Sequence, residues 1–362
     1  MVYTSTKSLE TLMETVPEDC QKDIKRFKRV MDVLTKEPEP KVGQTPKEVI
    51  WTKNKAKLYR YQPAKKKTNK VPILMIYALI NKPYILDLAP GSSLIEYLTD
   101  KGHDVYLLDW GTPGYEDRHM KLDDYVLDYI PRAVKKVLRT SEAKEISLLG
   151  YCIGGTLTAI FSALHPNLPI RNTIFLTSPF DFEDAGLFTN WVDERYFNLD
   201  LMVDTFGNIP AETIDFGNKL LKPLVNYFGP YVALADRADN DKFVKNWTLM
   251  QKWVGDGVPF PGEAYRQWIG EFYQKNKLIK DELYIRGQQV ELKNIKANVL
   301  NIAADRDHIA IPEQTERLMD KISSKDKTFK LIPAGHVSVT VGRSAVKHTY
   351  PLIEEWLTDH SK

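Results

Sequence analysis

The chain has 362 residues, enough to bury one large hydrophobic core or two modest ones. Its 50 basic and 48 acidic residues leave a formal net charge of +2, so the composition indicates neither a nucleic acid nor an acidic surface as partner. The two cysteines, Cys20 and Cys152, lie far apart, which argues against a disulfide scaffold and fits a reducing, cytosolic setting. The sequence contains no Cys-x-x-Cys motif and no spaced set of Cys and His residues, so we expect no metal site.

The N-terminal residues are followed by charged residues rather than an apolar stretch, so we expect no signal peptide. The longest uncharged run, residues 146–164, is rich in Gly, Ser and Thr, so we expect no transmembrane segment. A basic cluster of Lys65, Lys66, Lys67 and Lys70 lies between two strand-like runs. We interpret this cluster as a solvated loop rather than a binding patch.

The first predicted element is a highly charged helix over residues 9–34. It carries one apolar stripe, composed of Ile24, Phe27, Val30, Met31, Val33 and Leu34. The stripe could pack on the body of the protein or dock a partner. Pro38 and Pro40 end the helical pattern.

From Val49 onward, β-prone runs alternate with helical patterns. Strands are predicted over 49–51, 56–61, 72–79, 104–109 and 145–149, and helices over 92–101 and 122–139. A helix after Cys152 and a strand over 173–177 continue the series. This alternation predicts an α/β protein with a mostly parallel sheet and helices on both faces.

The alternation stops at about residue 180 and returns with strands over 297–303 and 328–332 and a final helix over 345–356. Between Phe180 and Tyr273 lie 19 aromatic residues. They could form a packed core or an apolar wall over an active site. The predicted division is an N-terminal helical segment, a first core part, an inserted and mainly helical cap, and a second core part, over residues 1–40, 41–179, 180–290 and 291–362.

The most informative motif is Gly150-Tyr151-Cys152-Ile153-Gly154-Gly155, which lies between an apolar run and a helical pattern. It is typical of a nucleophile elbow in an α/β-hydrolase fold, with Cys152 where Ser is usual. Glycines leave room for the strained turn, and the N-terminus of the following helix favours a thiolate and an oxyanion. The alternative is a small buried core cysteine.

In this architecture an acid and then a histidine follow the nucleophile along the chain. His336 follows the predicted strand 328–332 and is the expected general base. Asp307 follows the strand before it and is the expected acid, with Asp305 as its competitor. His308 could orient Asp307 or line the site.

The residue types define a chemical hypothesis. His336 takes the proton of Cys152, and the thiolate attacks an acyl thioester. We expect the Ile153 N–H and a second N–H near Ile80 and Asn81 to hold the oxyanion. The acyl group then rests on Cys152 until an acceptor removes it.

These motifs together resemble the polyhydroxyalkanoate synthases from about residue 40 to the end of the chain. The family's lipase-like box corresponds to residues 150–155, and its Ile-Asn-Lys run to residues 80–82. Residues 104–111 are similar to its next strand and turn, 306–309 to its Asp-His motif, and Gly335-His336 to its catalytic histidine. The chain looks most like the short two-component synthases, class IV of Bacillus type, with class III as near neighbour.

The resemblance implies polymerisation of (R)-3-hydroxyacyl-CoA, chiefly 3-hydroxybutyryl-CoA, through an acyl-Cys152 intermediate with release of CoA. It implies that Asp307 helps to deprotonate the 3-hydroxyl of the incoming unit, through His336 or directly. It further implies a small helical accessory subunit of the PhaR type (or the PhaE type in class III), a homodimer, and a cytoplasmic location on polyester granules. No cofactor is expected, because CoA is part of the substrate and a product. Alternative functions are a thioesterase or esterase-type hydrolase on the same fold, and a scaffold protein without catalysis.

Overall fold

The computed structural model describes residues 17–36, 38–64 and 69–361. The predicted helix before residue 17 and the lysines at 65–67 lie outside the described residues. By packing, the chain separates into two compact units. The first combines the described residues of Met1–Lys41 with Lys222–Gly255, and the second combines Val42–Leu221 with Asp256–Lys362.

The strands all belong to the second unit. In chain order they are β1 Glu48–Lys53, β2 Ala56–Tyr61, β3 Ile73–Ile76, β4 Asp87–Ala89, β5 Ser92–Ser93, β6 Val105–Asp109, β7 Ile146–Tyr151, β8 Ile170–Leu176, β9 Tyr284–Ile285, β10 Gln288–Gln289, β11 Asn298–Ala304 and β12 Lys327–Ile332.

The helices of the described residues follow the same order. They are α1 Glu18–Lys36, α2 Leu94–Asp100, α3 Leu122–Asp124, α4 Ile130–Ser141, α5 Ile153–Leu164, α6 Leu187–Trp191, α7 Leu199–Phe206, α8 Ala211–Leu220, α9 Gly229–Arg237, α10 Asp241–Gly255, α11 Gly262–Gln267, α12 Pro312–Glu316, α13 Leu318–Lys321, α14 Gly342–Ser344 and α15 Tyr350–His360. Turns of π-helix cover Tyr125–Tyr129, Leu224–Phe228, Trp268–Gln274 and Ala345–Thr349. Short 3-10 turns cover Pro83–Leu86, Tyr115–Asp117, Leu292–Asn294 and Val337–Val339.

An eight-stranded sheet forms the centre of the second unit, in the order β1-β2-β6-β3-β7-β8-β11-β12. The pairs β1/β2 and β2/β6 are antiparallel, and every later pair is parallel. Strands β3 and β7 are buried along their whole length, as expected for central strands covered by helices. The predicted α/β-hydrolase fold with a mostly parallel sheet is therefore confirmed.

The parallel pairing brings the carboxyl ends of β3, β7, β11 and β12 to one edge of the sheet, and the segments that follow them carry the predicted site residues. In the central pair, Met75 of β3 faces Leu149 of β7. At the other side of the site, Ala304 of β11 faces Ile332 of β12. An acid placed after β11 and a base placed after β12 are thus neighbours, as the chain order predicts.

The first unit is helical. Val33 of α1, Leu234 of α9 and Val244 of α10 form its buried cluster, against which Val30 and Trp247 pack. The predicted cap at residues 180–290 is consequently divided, because its residues 222–255 pack in the same unit as α1. The remaining cap helices, α6 to α8 and α11, belong to the second unit. The other predicted domain boundaries stay predictions.

The apolar stripe of α1 is only partly buried. Val33 and Val30 face the cluster, whereas Ile24, Phe27, Met31 and Leu34 are exposed in the described residues. Among residues 17–36, 38–64 and 69–361, no helix combines the length and apolar character needed to cross a membrane.

Candidate active site

Cys152 sits on the sharp turn between β7 and α5. It has φ of 54° and ψ of −129°, a backbone conformation that a residue with a side chain adopts only when its surroundings enforce it. The Cys152 N–H donates to the Leu176 carbonyl at 3.0 Å, and the Cys152 carbonyl accepts from the Gly155 N–H at 2.9 Å. The side chain is buried at the N-terminus of a 12-residue helix. This is the geometry of a nucleophile elbow.

Two glycines allow the elbow to pack against its neighbours. A Cβ on Gly154 would collide with the carbonyl oxygen of Ile76 and would lie 2.6 Å from the Tyr77 carbonyl carbon. A Cβ on Gly150 would collide with the Cα of Gly155 and lie 2.7 Å from the Thr158 hydroxyl. The close approach of backbone to backbone therefore requires glycine at both positions.

The structure brings the predicted base and acid together. His336 Nδ1 lies 2.7 Å from Asp307 Oδ2, and both side chains are buried. The other carboxylate oxygen of Asp307 accepts from the backbone N–H groups of Ile309 at 2.8 Å and Ala310 at 3.0 Å. Both oxygens of Asp307 are thus engaged, which fixes the carboxylate and, through it, the imidazole ring.

His336 also interacts with the nucleophile. Burial acts to lower the pKa of His336, but the charges of Asp307 and Cys152 and hydrogen bonds to both side chains raise that pKa well above its usual value. Because Nδ1 is held by Asp307, the hydrogen bond to Cys152 uses Nε2. The imidazole can therefore exchange a proton with the sulfur while the carboxylate stabilises its charged form.

The competitor Asp305 has a different environment. Its Oδ1 accepts from the Ala334 N–H at 3.0 Å and lies 3.3 Å from Arg306 Nε. Asp305 is also partly exposed. Its role is to join the loops after β11 and β12, and the partner of His336 is Asp307.

Tyr151, the residue before the nucleophile, contacts the base directly, a role that the sequence analysis does not predict. Its hydroxyl donates to the His336 carbonyl at 3.2 Å, and its ring centroid lies 5.5 Å from that of the imidazole. On another side, the Tyr151 ring stacks on Tyr77 at 5.5 Å. The tyrosine in the elbow motif is the sequence feature that could indicate this contact, because a buried hydroxyl normally forms a hydrogen bond.

Cys152 opens into an apolar cavity of about 270 Å³ within the second unit. Ile80, Ile153 and Ile309 line it from the core, and Trp268 and Tyr273 line it from the cap. The cap aromatics serve both predicted roles, since Trp268 and Tyr273 line the cavity and also pack edge-on against buried Phe182.

The two predicted oxyanion residues, Ile153 and Ile80, line the Cys152 cavity. Ile153 is the first residue of α5, where an N–H has no acceptor within the helix, and Ile80 lines the same cavity as Cys152. Their role stays a prediction. Asn81 and His308 do not line this cavity. The N–H bonds from Ile309 and Ala310 to Asp307 turn the loop so that these two residues, rather than His308, form the wall.

The comparisons with known proteins agree with the fold. The family pattern described as alpha/beta hydrolase fold matches residues 71–342, and the chain belongs to that class. A monoacylglycerol lipase from Paleococcus ferrophilus matches with a TM-score of 0.53 at 17% identity, over 84% of this chain and 99% of its own. A putative non-heme bromoperoxidase, BpoC, from Mycobacterium tuberculosis matches with a TM-score of 0.55 at 12% identity, over 86% of this chain and 98% of its own. At these identities the likeness shows the fold alone.

Sequence relatives define the family more narrowly. The pattern for the N-terminus of poly-beta-hydroxybutyrate polymerase (PhaC) matches residues 1–98. Two relatives are named poly(3-hydroxyalkanoate) polymerase subunit PhaC. The protein from Synechocystis is 36% identical over 89% of this chain and 87% of its own length. The protein from Thiocystis violacea is 37% identical over 88% of this chain and 90% of its own length. The relative in Haloferax mediterranei is 38% identical over 90% of this chain, which spans 66% of that protein. The chain belongs to the poly(3-hydroxyalkanoate) polymerase subunit PhaC family.

Proposed function

We propose that this chain is the catalytic subunit of a poly(3-hydroxyalkanoate) synthase that polymerises (R)-3-hydroxyacyl-CoA and releases CoA. The observation that carries the proposal is the buried Cys152–His336–Asp307 set, whose Cys152 opens into an apolar cavity. Membership of the PhaC family supports the same activity. A thiol in place of the usual hydroxyl suits exchange between thioesters, because thiolates of similar basicity leave and attack with comparable ease.

The proposed first step is acylation of the enzyme. His336 Nε2 accepts the Cys152 proton, and the thiolate attacks the thioester carbonyl. The Ile153 and Ile80 N–H groups hold the oxyanion of the tetrahedral intermediate. The intermediate collapses, the C–S bond to CoA breaks, and the CoA thiolate takes the proton from His336. The products are acyl-Cys152 and free CoA.

The second step lengthens the chain. The 3-hydroxyl of an incoming 3-hydroxyacyl-CoA gives its proton to His336 and attacks the acyl-Cys152 carbonyl, and the Cys152 thiolate leaves and recovers the proton. The lengthened chain, now on CoA, acylates Cys152 again. Asp307 acts through His336 rather than directly on the hydroxyl, because its carboxylate is buried against His336 and does not line the Cys152 cavity.

The cavity favours transfer to a hydroxyl over hydrolysis. Its walls combine isoleucines of the core with cap aromatics such as Trp268, so a bound acyl chain would displace water from Cys152. At about 270 Å³ it is smaller than the roughly 300–1,000 Å³ that holds a drug-sized ligand. This size favours a short side chain such as that of 3-hydroxybutyryl-CoA. The reaction needs no resident cofactor, because CoA enters on the substrate and leaves as product.

The finer partner assignments belong to the same proposal. We propose that the first unit docks a small helical accessory subunit, of the PhaR type or the PhaE type. The support is its exposed apolar side chains, which are Ile24, Phe27, Met31, Leu34, Leu224, Val225, Phe228, Tyr231 and Val232. A homodimer and a cytoplasmic location on polyester granules complete the proposal. The double variant Phe27→Ser/Phe228→Ser should lose the accessory subunit in co-purification, whereas exposed Val49→Ser should retain it.

CoA release from (R)-3-hydroxybutyryl-CoA, with the product sized by chromatography, tests the function with and without the accessory subunit. We expect high-mass polyester and one CoA per unit added. The Cys152→Ala variant should release no CoA while keeping the thermal unfolding midpoint of the unaltered protein. Release of CoA with free hydroxyacid alone would identify a thioesterase instead. An inert Cys152 towards thiol reagents, with no CoA release, would favour the scaffold.

A further inference from the structure

The Cys152 cavity reaches the surface along the cap helices of the second unit. Phe216 of α8 lines the cavity and is also 56% exposed, so the same ring belongs to the inner wall and to the surface. Phe188, Phe197 and Met202 line the cavity beside it and are only half-buried. The apolar lining thus continues outward from Cys152 between α6, α7 and α8.

The surface around this opening is apolar as well. Leu187, Tyr196 and Leu201 are each next in sequence to a lining residue and are 46%, 82% and 63% exposed. We call these three residues the apolar rim. Exposed side chains of this kind, continuous with a buried site, mark a surface that binds a ligand.

The charges near the rim argue against CoA as that ligand. Arg195 pairs with Asp193, and Lys219 lies 2.6 Å from Asp215. Arg266 lies 2.6 Å from Asp204 and also pairs with Asp200 and Glu263. The phosphates of CoA would need cations, and these cations already neutralise carboxylates.

A polyester chain fits the same surface. It is uncharged, and its ester oxygens accept but do not donate hydrogen bonds. Among the lining residues, Thr213, Tyr265 and Tyr273 carry hydroxyl donors and Asn218 carries an amide donor, within walls that are mainly apolar. We propose that the growing polyester chain leaves Cys152 past Phe216 and is bound by the apolar rim as it emerges. This inference rests on the proposed polymerase function.

Charge placed on the rim tests the route. The double variant Tyr196→Glu/Leu201→Glu should acylate Cys152 within about twofold of the unaltered rate, because neither residue lines the cavity. Its product mass should fall at least fivefold, because the emerging chain loses its binding surface. Tyr284→Glu is the matched control, since Tyr284 is 57% exposed in the same unit and does not line the cavity. It should leave product mass unchanged.

The readouts separate the possible failures. Burst CoA release measures acylation, and chromatography measures product mass. Unchanged product mass in the double variant would overturn the route. A fall in the acylation rate as large as the fall in product mass would also overturn it, because it would assign the rim to entry of the CoA substrate. Loss of a homodimer or of the accessory subunit in the double variant would assign the rim to a protein partner and overturn it too. If the unaltered protein made no polyester, the polymerase function itself would fail, and the route with it.

A second measurement does not depend on turnover. Oligo(3-hydroxybutyrate) carrying a terminal photoreactive group is cross-linked to the full-length Cys152→Ala variant, and labelled peptides are identified by mass spectrometry. Labels within residues 187–218 are expected. Labels confined to other segments would contradict the route.

Discussion

The hydroxyl of Tyr151 donates a hydrogen bond to the backbone carbonyl of His336, across 185 residues of sequence. The residue that precedes the nucleophile therefore also holds the loop that carries the base. Since the Tyr151 ring stacks on Tyr77 as well, one side chain connects the end of β7 with the segments after β3 and β12. Tyr151 thus fastens the loop that carries His336 to the end of β7, next to Cys152.

Tyr151→Phe should retain the stacking and lose the hydrogen bond. A buried hydrogen bond contributes about 0.5–1.5 kcal/mol, so a fall of that size in the free energy of unfolding is expected. The kcat should fall about three- to tenfold with little change in KM, because a loosened His336 alters proton transfer rather than binding. Tyr106→Phe is the control, since its buried hydroxyl bonds Asp104 away from the site. An equal loss of kcat in both variants would contradict the positioning role.

Asp307→Asn should reduce kcat/KM by about 100- to 10,000-fold, because the amide cannot stabilise the imidazolium. The pKa of His336 should fall, since the Asp307 charge raises it in the unaltered protein. Titration of the His336 ring by NMR measures this change. Asp305→Asn is the control, and its activity should stay within about threefold.

The effect of Asp307→Asn on the free energy of unfolding should depend on pH. The folded state raises the pKa of His336 above 6.5, so its stabilisation is fully present below that pH and is lost as the pH rises through the folded-state pKa. The unfolding free energy lost in Asp307→Asn should therefore be largest below pH 6.5 and smaller at alkaline pH. Urea unfolding across that range measures it, and a constant difference would contradict the assigned cause.

Gly154→Ala should destabilise the protein by about 3 kcal/mol or more, because the added methyl meets the backbone of Ile76 and Tyr77, which cannot move without disturbing β3. Gly217→Ala is the matched control in helix α8, where an added Cβ meets nothing within 4 Å. It should be stabilising by roughly 0.5–1 kcal/mol, the helix preference of Ala over Gly. Thermal unfolding compares the two. Similar midpoints would show that the elbow can relax.

His103 should make the protein sensitive to acid. Burial lowers the pKa of His103 to about 4, against 6.5 for a free side chain, and the charge of Glu354 acts in the opposite direction. Stability is therefore present above pH 6.5 and is lost as the pH falls towards 4, by up to about 3 kcal/mol. His103→Gln should flatten this dependence, because it cannot take the proton. The exposed His119→Gln should leave it unchanged.

The features that the sequence predicts well are those fixed by local pattern or by chain order. The bounds predicted for the strand 56–61 agree with β2, because alternation and flanking residues define it. Cys152, Asp307 and His336 are predictable together, because each follows a parallel strand and these strands end at one edge of the sheet. Their catalytic roles are predictions that the Cys152→Ala and Asp307→Asn variants test.

Contacts between distant segments leave no local pattern. Val33 packs with Leu234 and Val244, about 200 residues away, so the separation of 222–255 from the rest of the cap could not be anticipated. The N–H bonds to Asp307 determine that Ile309 rather than His308 lines the cavity, and this is a matter of loop geometry. Composition alone cannot resolve either feature.

The tight packing of Gly154 on the end of β3 has a consequence for how such catalysts diversify. The backbone conformation at position 152 is determined by the packing of neighbouring residues. The nucleophilic atom, sulfur or oxygen, is by contrast a single atom at the tip of that side chain. We therefore expect that replacing sulfur by oxygen would leave the backbone of the elbow unchanged. A scaffold of this kind can therefore carry a thiol or a hydroxyl nucleophile after one substitution, while the walls that admit or exclude water change separately.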